Sequence, residues 1–102
     1  MTKEISSPEE LMALTSEGAI LIDVRSSEEY DTSKIPNVKT GFDWNSGEFH
    51  DRYDDLDPEN TYILICRSGS RSMHACQYME SLGFSNLYNL KGGMLAWTGE
   101  TE

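Results

Sequence analysis

Two short apolar runs constrain this chain more than any other feature. Ala19-Ile20-Leu21-Ile22-Asp23-Val24 and Tyr62-Ile63-Leu64-Ile65-Cys66 are almost uninterrupted. Both are short and rich in β-branched residues, which fits strands better than helices. Strict alternation would mark a strand with one wet face. A continuous run marks a strand covered on both faces, as in a parallel sheet. Weaker runs are Asn86-Leu87-Tyr88-Asn89-Leu90, one centred on Val38, and a short one at Ile5. Together they predict a mostly parallel sheet of about five short strands.

Helical stretches lie between these runs. Ser7-Pro8-Glu9-Glu10 opens one, with Ser7 as N-cap, Pro8 in the first turn and Glu10 closing a capping box. Leu11, Met12 and Leu14 supply its apolar face and Gly18 ends it. Ser26-Ser27-Glu28-Glu29-Tyr30 opens a shorter helix. The longest is predicted over 71–82, with Ala75, Cys76, Met79 and Leu82 on one stripe and Gly83 as its stop. Strands alternating with helices give an α/β fold with helices on both faces of the sheet. At 102 residues, one domain over 1–102 is expected.

Charge narrows the partners. Eighteen acidic against eight basic residues give a net charge of −10. Such a surface repels phosphate backbones and anionic lipid, so neither nucleic acid nor membrane is an expected partner. No apolar run nears the roughly 18 residues of a membrane span. Met1-Thr2-Lys3-Glu4 has no signal-peptide character. Two cysteines make no disulfide framework, and no Cys/His cluster has metal-ligand spacing. A cytoplasmic protein without metal or organic cofactor is expected. Region 41–59 is the least regular. Its acidic residues Glu48, Asp51, Asp54, Asp55, Asp57 and Glu59 read as a solvated loop, or else as a docking surface for a basic partner.

The chemistry concentrates after the second apolar run. The strand ends at Cys66, followed by Arg67-Ser68-Gly69-Ser70-Arg71 and a helix. In open α/β sheets, ligands bind at the carboxyl ends of strands. A tight loop entering a helix presents backbone N–H groups to one point, and the helix dipole adds positive charge there. Gly69 allows the loop to curl, and the two arginines add permanent cations. All of this favours an anion, and a thiol at the origin of the loop becomes a reactive thiolate. Cys66 is therefore the candidate nucleophile. Arg67, Ser68, Gly69, Ser70 and Arg71 are the candidate substrate-binding residues. Between residues 60 and 93, Arg67, Arg71 and Lys91 face Glu80 alone, so the site segment is mildly cationic within an acidic chain.

Three motifs in order carry a family resemblance. Leu21-Ile22-Asp23-Val24-Arg25 with Glu28-Glu29-Tyr30 resembles the amino-terminal pattern of the rhodanese (thiosulfate sulfurtransferase) family. Cys66 to Ser72 resembles the active-site loop of its single-domain bacterial members. Gly83-Phe84, Leu87 to Gly93 and Ala96-Trp97 resemble its carboxyl-terminal pattern. Ser33-Lys34-Ile35-Pro36-Asn37-Val38 departs from the family's Gly-His-Ile-Pro-Gly-Ala. The resemblance implies a rhodanese-like domain that moves sulfane sulfur through a Cys66 persulfide. The donor would be a small anion such as thiosulfate, and the acceptor cyanide or a thiol. Arg67 and Arg71 would orient the donor.

Other residues read as structural. Cys76 belongs to the helix stripe and the core. Asp23 and Arg25 read as structural rather than catalytic, with Arg25 expected to form an ion pair with Glu28 or Glu29 in the next helix turn and so hold strand to helix. His50 and His74 read as surface or rim residues. Gly92-Gly93 lacks the Lys-Ser/Thr of a phosphate loop and reads as close backbone packing. Tyr88 and Trp97 read as core or pocket wall. Two other functions share the fold or the loop. One is a sulfur carrier or regulatory module that docks on a protein donor or acceptor. The other is a phosphatase or arsenate reductase, whose loop usually has five residues between Cys and Arg; here there are four.

Overall fold

A computed structural model describes residues 2–102. Its elements in chain order are β1 (Lys3–Ile5), α1 (Pro8–Ser16), β2 (Ile20–Asp23), α2 (Ser27–Thr32), α3 (Glu48–Arg52), β3 (Tyr62–Ile65), α4 (Ser70–Ser81), β4 (Leu87–Leu90) and α5 (Gly93–Ala96). A 3₁₀ turn over Tyr53–Asp55 follows α3. The strands form one parallel sheet in the order β1-β4-β3-β2. The sheet thus has four strands where the apolar runs suggested about five. The segment around Val38 makes a single bridge, Lys39 beside Ile22. Lys39 N–H donates to Leu21 O at 2.8 Å, and Asp23 N–H donates to Lys39 O at 2.9 Å. Asn37 and Gly41 both have positive φ, 67° and 87°, so the backbone is extended only between two turns.

Topology explains why both faces of the sheet are covered. The connection from β1 to β2 crosses the whole sheet one way, and β2 to β3 to β4 returns the other way. Right-handed crossovers in opposite directions put their helices on opposite faces. Two separate cores result. Ile22, Tyr62 and Leu64 pack with Ala75, Cys76 and Met79 of α4 on one face. Leu21, Ile63 and Ile65 pack with Leu11 of α1 on the other. The continuous apolar runs are therefore sorted by the two-residue period of the strand into two cores.

Local signals set the helix starts. Ser7 Oγ accepts from Glu10 N–H at 3.1 Å while Glu10 Oε1 accepts from Ser7 N–H at 3.2 Å, the reciprocal capping box. Ser26 and Glu29 repeat it at the start of α2. The apolar faces are narrower than the spacing suggested. Met12 is 66% exposed, because the nine-residue α1 turns only Leu11 fully inward. Leu82 is 40% exposed at the C-cap of α4, where the chain turns toward Gly83.

Region 41–59 is more than a solvated loop. The acidic side chains from Glu48 to Glu59 are exposed, yet Phe42, Phe49 and Leu56 are buried in the α4-side core. Phe49 lies in α3, Leu56 caps the 3₁₀ turn, and Phe42 precedes α3. Among the described residues no helix is long and apolar enough to cross a membrane.

Candidate active site

Cys66 follows β3 directly and has no solvent exposure. Its backbone is held from behind by α5. Met94 N–H donates to Cys66 O at 2.9 Å and Leu95 N–H donates to Arg67 O at 3.0 Å. Gly93 makes that contact possible. A Cβ there would lie 2.4 Å from Cys66 O and 2.5 Å from Arg67 C, and its φ is +56°. The Gly92-Gly93 pair is thus a close-packing device, as its sequence suggested.

The loop then folds back over the sulfur. Gly69, the N-cap of α4, has φ 95°. Its N–H donates to Cys66 Sγ at 3.1 Å. The buried Ser72 hydroxyl lies 3.2 Å from the same sulfur. Burial pushes the Cys66 thiol up; the Ser72 hydroxyl and the N–H groups of Ser72, Gly69 and Ser68 outweigh it, and the thiol lies below its ordinary value. Hydrogen bonds aimed at sulfur therefore carry the effect that the sequence reading gave to the arginines and the helix dipole.

The two arginines differ. Arg71 is half-buried and gives a two-pronged ion pair to Glu29, Nη1–Oε1 and Nη2–Oε2 both at 2.8 Å. The same Glu29 Oε1 accepts from Ser26 in the cap of α2. Arg71 beside it holds the Glu29 carboxyl down to about 2. Arg67 is exposed, and no side-chain partner for it occurs among the described residues. It lines a shallow groove with Met94, Leu95 and Trp97. Ser68 and Ser70 are exposed at the loop's surface. The loop brings Cys66, Ser68, Gly69 and Ser72 to one point; Arg67 stands at its outer rim, and Arg71 is tied to α2.

Two residues of this neighbourhood escape a sequence reading. The Ser72 hydroxyl faces two acceptors, Asn89 Oδ1 on β4 and Cys66 Sγ. Asn89 is buried, and its Nδ2 donates to Gly69 O at 3.1 Å and to Glu4 Oε2 at 3.2 Å. Ser72 stood inside the loop motif and could have been found as the next residue on the helix's first turn. Asn89 had one signal, a polar residue in the middle of an apolar run.

The remaining residues are placed as follows. Asp23 and Arg25 form a buried ion pair, Nη2–Oδ2 2.7 Å. Arg25 meets α2 through the carbonyls of Glu29 and Ser33, so its carboxylate partner is Asp23 and neither Glu28 nor Glu29. Geometry decides this, because the Glu29 carboxylate is already taken by Arg71. Cys76 is buried and free, its thiol pushed up to about 12 by burial. His74 is exposed; His50, also exposed, meets Trp44 in a tilted contact and Tyr78 edge-on, with ring centroids 4.8 Å apart in each case. Among the described residues no three His, Cys, Asp or Glu side chains are placed to hold a metal ion.

A cysteine cradled by a four-residue loop at the mouth of a parallel strand has a family match. The family model for the Rhodanese-like domain covers residues 7–100, and the chain belongs to that family. Its relatives include proteins named as sulfurtransferases and one named as a sulfur carrier protein. YtwF of Bacillus subtilis, provisionally named a sulfurtransferase, is 42% identical over 82 residues, 80% of this chain and 76% of that one. The thiosulfate sulfurtransferase GlpE of Pseudomonas entomophila is 35% identical over 91 residues, 89% of this chain and 81% of that one. The crystal structure of a rhodanese-like domain protein from Staphylococcus aureus superposes with a TM-score of 0.81 at 30% identity, covering 97% of this chain and 94% of that chain.

Proposed function

We propose that this protein transfers sulfane sulfur through a persulfide on Cys66. The observation that carries the reading is the buried Cys66 Sγ receiving Gly69 N–H, with the Ser72 hydroxyl beside it, in a loop whose outer rim bears the exposed Arg67. In the first half-reaction the Cys66 thiolate attacks the outer sulfur of thiosulfate. The new S–S bond forms as the old one breaks, and sulfite leaves with the bonding pair. Cys66 then carries a terminal S⁻, which the loop amides of Ser68, Gly69 and Ser70 stabilise as they would any anion held at a helix start. In the second half-reaction cyanide or a thiol of a small molecule or protein attacks the terminal sulfur. Cys66 returns as thiolate. This is covalent catalysis in two steps, with ping-pong kinetics. The reaction uses no metal or organic cofactor.

Arg67 attracts the donor anion and stabilises the departing sulfite. Arg71 fixes the loop through Glu29 and contributes its charge from the second layer. The test is intact-mass measurement after incubation with thiosulfate. The expected product is a one-sulfur adduct that cyanide removes and that Cys66→Ser never forms. Reduced, folded protein that takes up no sulfur would overturn the proposal.

A further inference from the structure

Ser72 has one hydroxyl hydrogen and two acceptors in reach, Cys66 Sγ at 3.2 Å and Asn89 Oδ1 at shorter range. The direction of the Asn89 amide is fixed by its other end. Nδ2 meets Gly69 O and Glu4 Oε2, and both of these only accept. Asn89 Oδ1 must therefore face Ser72, where it is buried and needs a donor.

We propose that Asn89 is a positioning residue that tunes Cys66 by competing with its sulfur for the single Ser72 proton. The inference rests on Cys66 being the reactive thiol. With Cys66 protonated, the thiol donates to Ser72 Oγ and the hydroxyl donates to Asn89 Oδ1, so each group is satisfied. When Cys66 loses its proton to solvent, the hydroxyl turns to the sulfur anion and Asn89 Oδ1 is left without a donor. When the sulfur becomes the inner atom of a persulfide it is neutral, and the hydroxyl returns to Asn89. The competition raises the free energy of the naked thiolate relative to the thiol and the persulfide on either side of it. A thiolate held less tightly is the stronger nucleophile, because nucleophilicity rises with thiol basicity.

The experiment is the pH dependence of Cys66 alkylation by iodoacetamide, read by mass mapping at that residue. It needs no sulfur transfer. Cys76 does not interfere, since burial keeps its thiol protonated. Ser72→Ala removes the donor to the anion, so the midpoint moves up and the thiolate fraction at neutral pH falls about tenfold, the scale of one hydrogen bond to an ionised group. Ser72→Thr keeps the hydroxyl and restores the midpoint. Asn89→Ala and the volume-conserving Asn89→Leu free the hydroxyl for the sulfur, so the midpoint moves down by a comparable factor. In the Ser72→Ala background, Asn89→Ala has no further effect.

An Asn89 variant whose midpoint rises or stays put overturns the proposal. So does a fall of equal size with and without Ser72, which would mean Asn89 acts only by supporting the loop at Gly69 O. Thiosulfate labelling of the same variants separates the two ideas. Opposite shifts in alkylation without any sulfur adduct would leave the tuning standing and remove the sulfur-transfer function.

Discussion

At the scale of single residues, the two arginines of the loop part company. The sequence treats Arg67 and Arg71 alike, as cations flanking a thiolate. The structure ties Arg71 to Glu29 by two 2.8 Å contacts and leaves Arg67 exposed. Arg67→Ala is therefore expected to slow reaction with an anionic donor more than with a neutral one, with stability changed by less than about 0.5 kcal/mol. Arg71→Ala leaves the half-buried Glu29 without its cation, and should destabilise the fold by about 1–2 kcal/mol. Steady-state kinetics with thiosulfate and a neutral donor, paired with denaturant midpoints, check both. Equal losses on the two donors in Arg67→Ala would reduce that residue to a structural part. Cys66 and the loop residues after it were legible because they are contiguous. The partner of Arg71 was not, because Glu29 lies 42 positions away.

At the scale of elements, the short α5 matters beyond its four residues. Its first amides hold the carbonyls of Cys66 and Arg67, and Gly93 lets the two backbones touch. Gly93→Ala combines positive-φ strain with overlap on the Cys66 carbonyl. The expected result is a loss of about 3 kcal/mol or more, with sulfur transfer falling as the loop shifts. Gly18→Ala is the matched control. Gly18 has φ +101° but nothing within 4 Å of a Cβ, so strain alone applies, about 1–2 kcal/mol. Chemical denaturation of both variants measures the difference, and equal losses would mean that the α5 contact adds nothing. The sequence marks Gly92-Gly93 as a place of close approach. It does not say that the approaching backbone is that of the site cysteine.

At the scale of the whole molecule, the Glu29–Arg71 pair couples the helices that follow two neighbouring strands of the sheet. It joins α2, which follows β2, to α4, which follows β3. The Glu29 carboxyl is held at about 2, first by its hydrogen bonds from Arg71. A carboxyl depressed in the folded state binds fewer protons there than in the unfolded chain. Its contribution is therefore complete above the ordinary carboxyl value of 4.5 and is lost as pH falls from there through about 2. Glu29→Gln keeps a cap for α2 but removes the charge. Unfolding of the wild type and this variant should show a stability gap at pH 6 that closes toward pH 2. A gap that does not change with pH would assign the effect to packing.

What the sequence by itself determined is what short-range physics can encode. Apolar runs specify buried parallel strands, Ser-x-x-Glu specifies helix starts, and a strand-Cys-loop-Arg-helix stretch specifies a loop that folds back over a thiol. The number of strands was overstated because the run centred on Val38 suggests a further strand, while the turns at Asn37 and Gly41 allow one bridge only. Region 41–59 was misjudged because its acidic residues dominate composition, whereas Phe42, Phe49 and Leu56 decide its placement. Tertiary structure alone decided the groups behind the sulfur. Asn89 reaches Ser72 because β4 lies beside β3 in the register that pairs Leu64 with Asn89, and Glu4 reaches Asn89 because β1 lies on the other side. A hydrogen bond between residues on different strands depends on sheet order and register. Those are set by the packing of two cores at once, which no single stretch of this chain specifies.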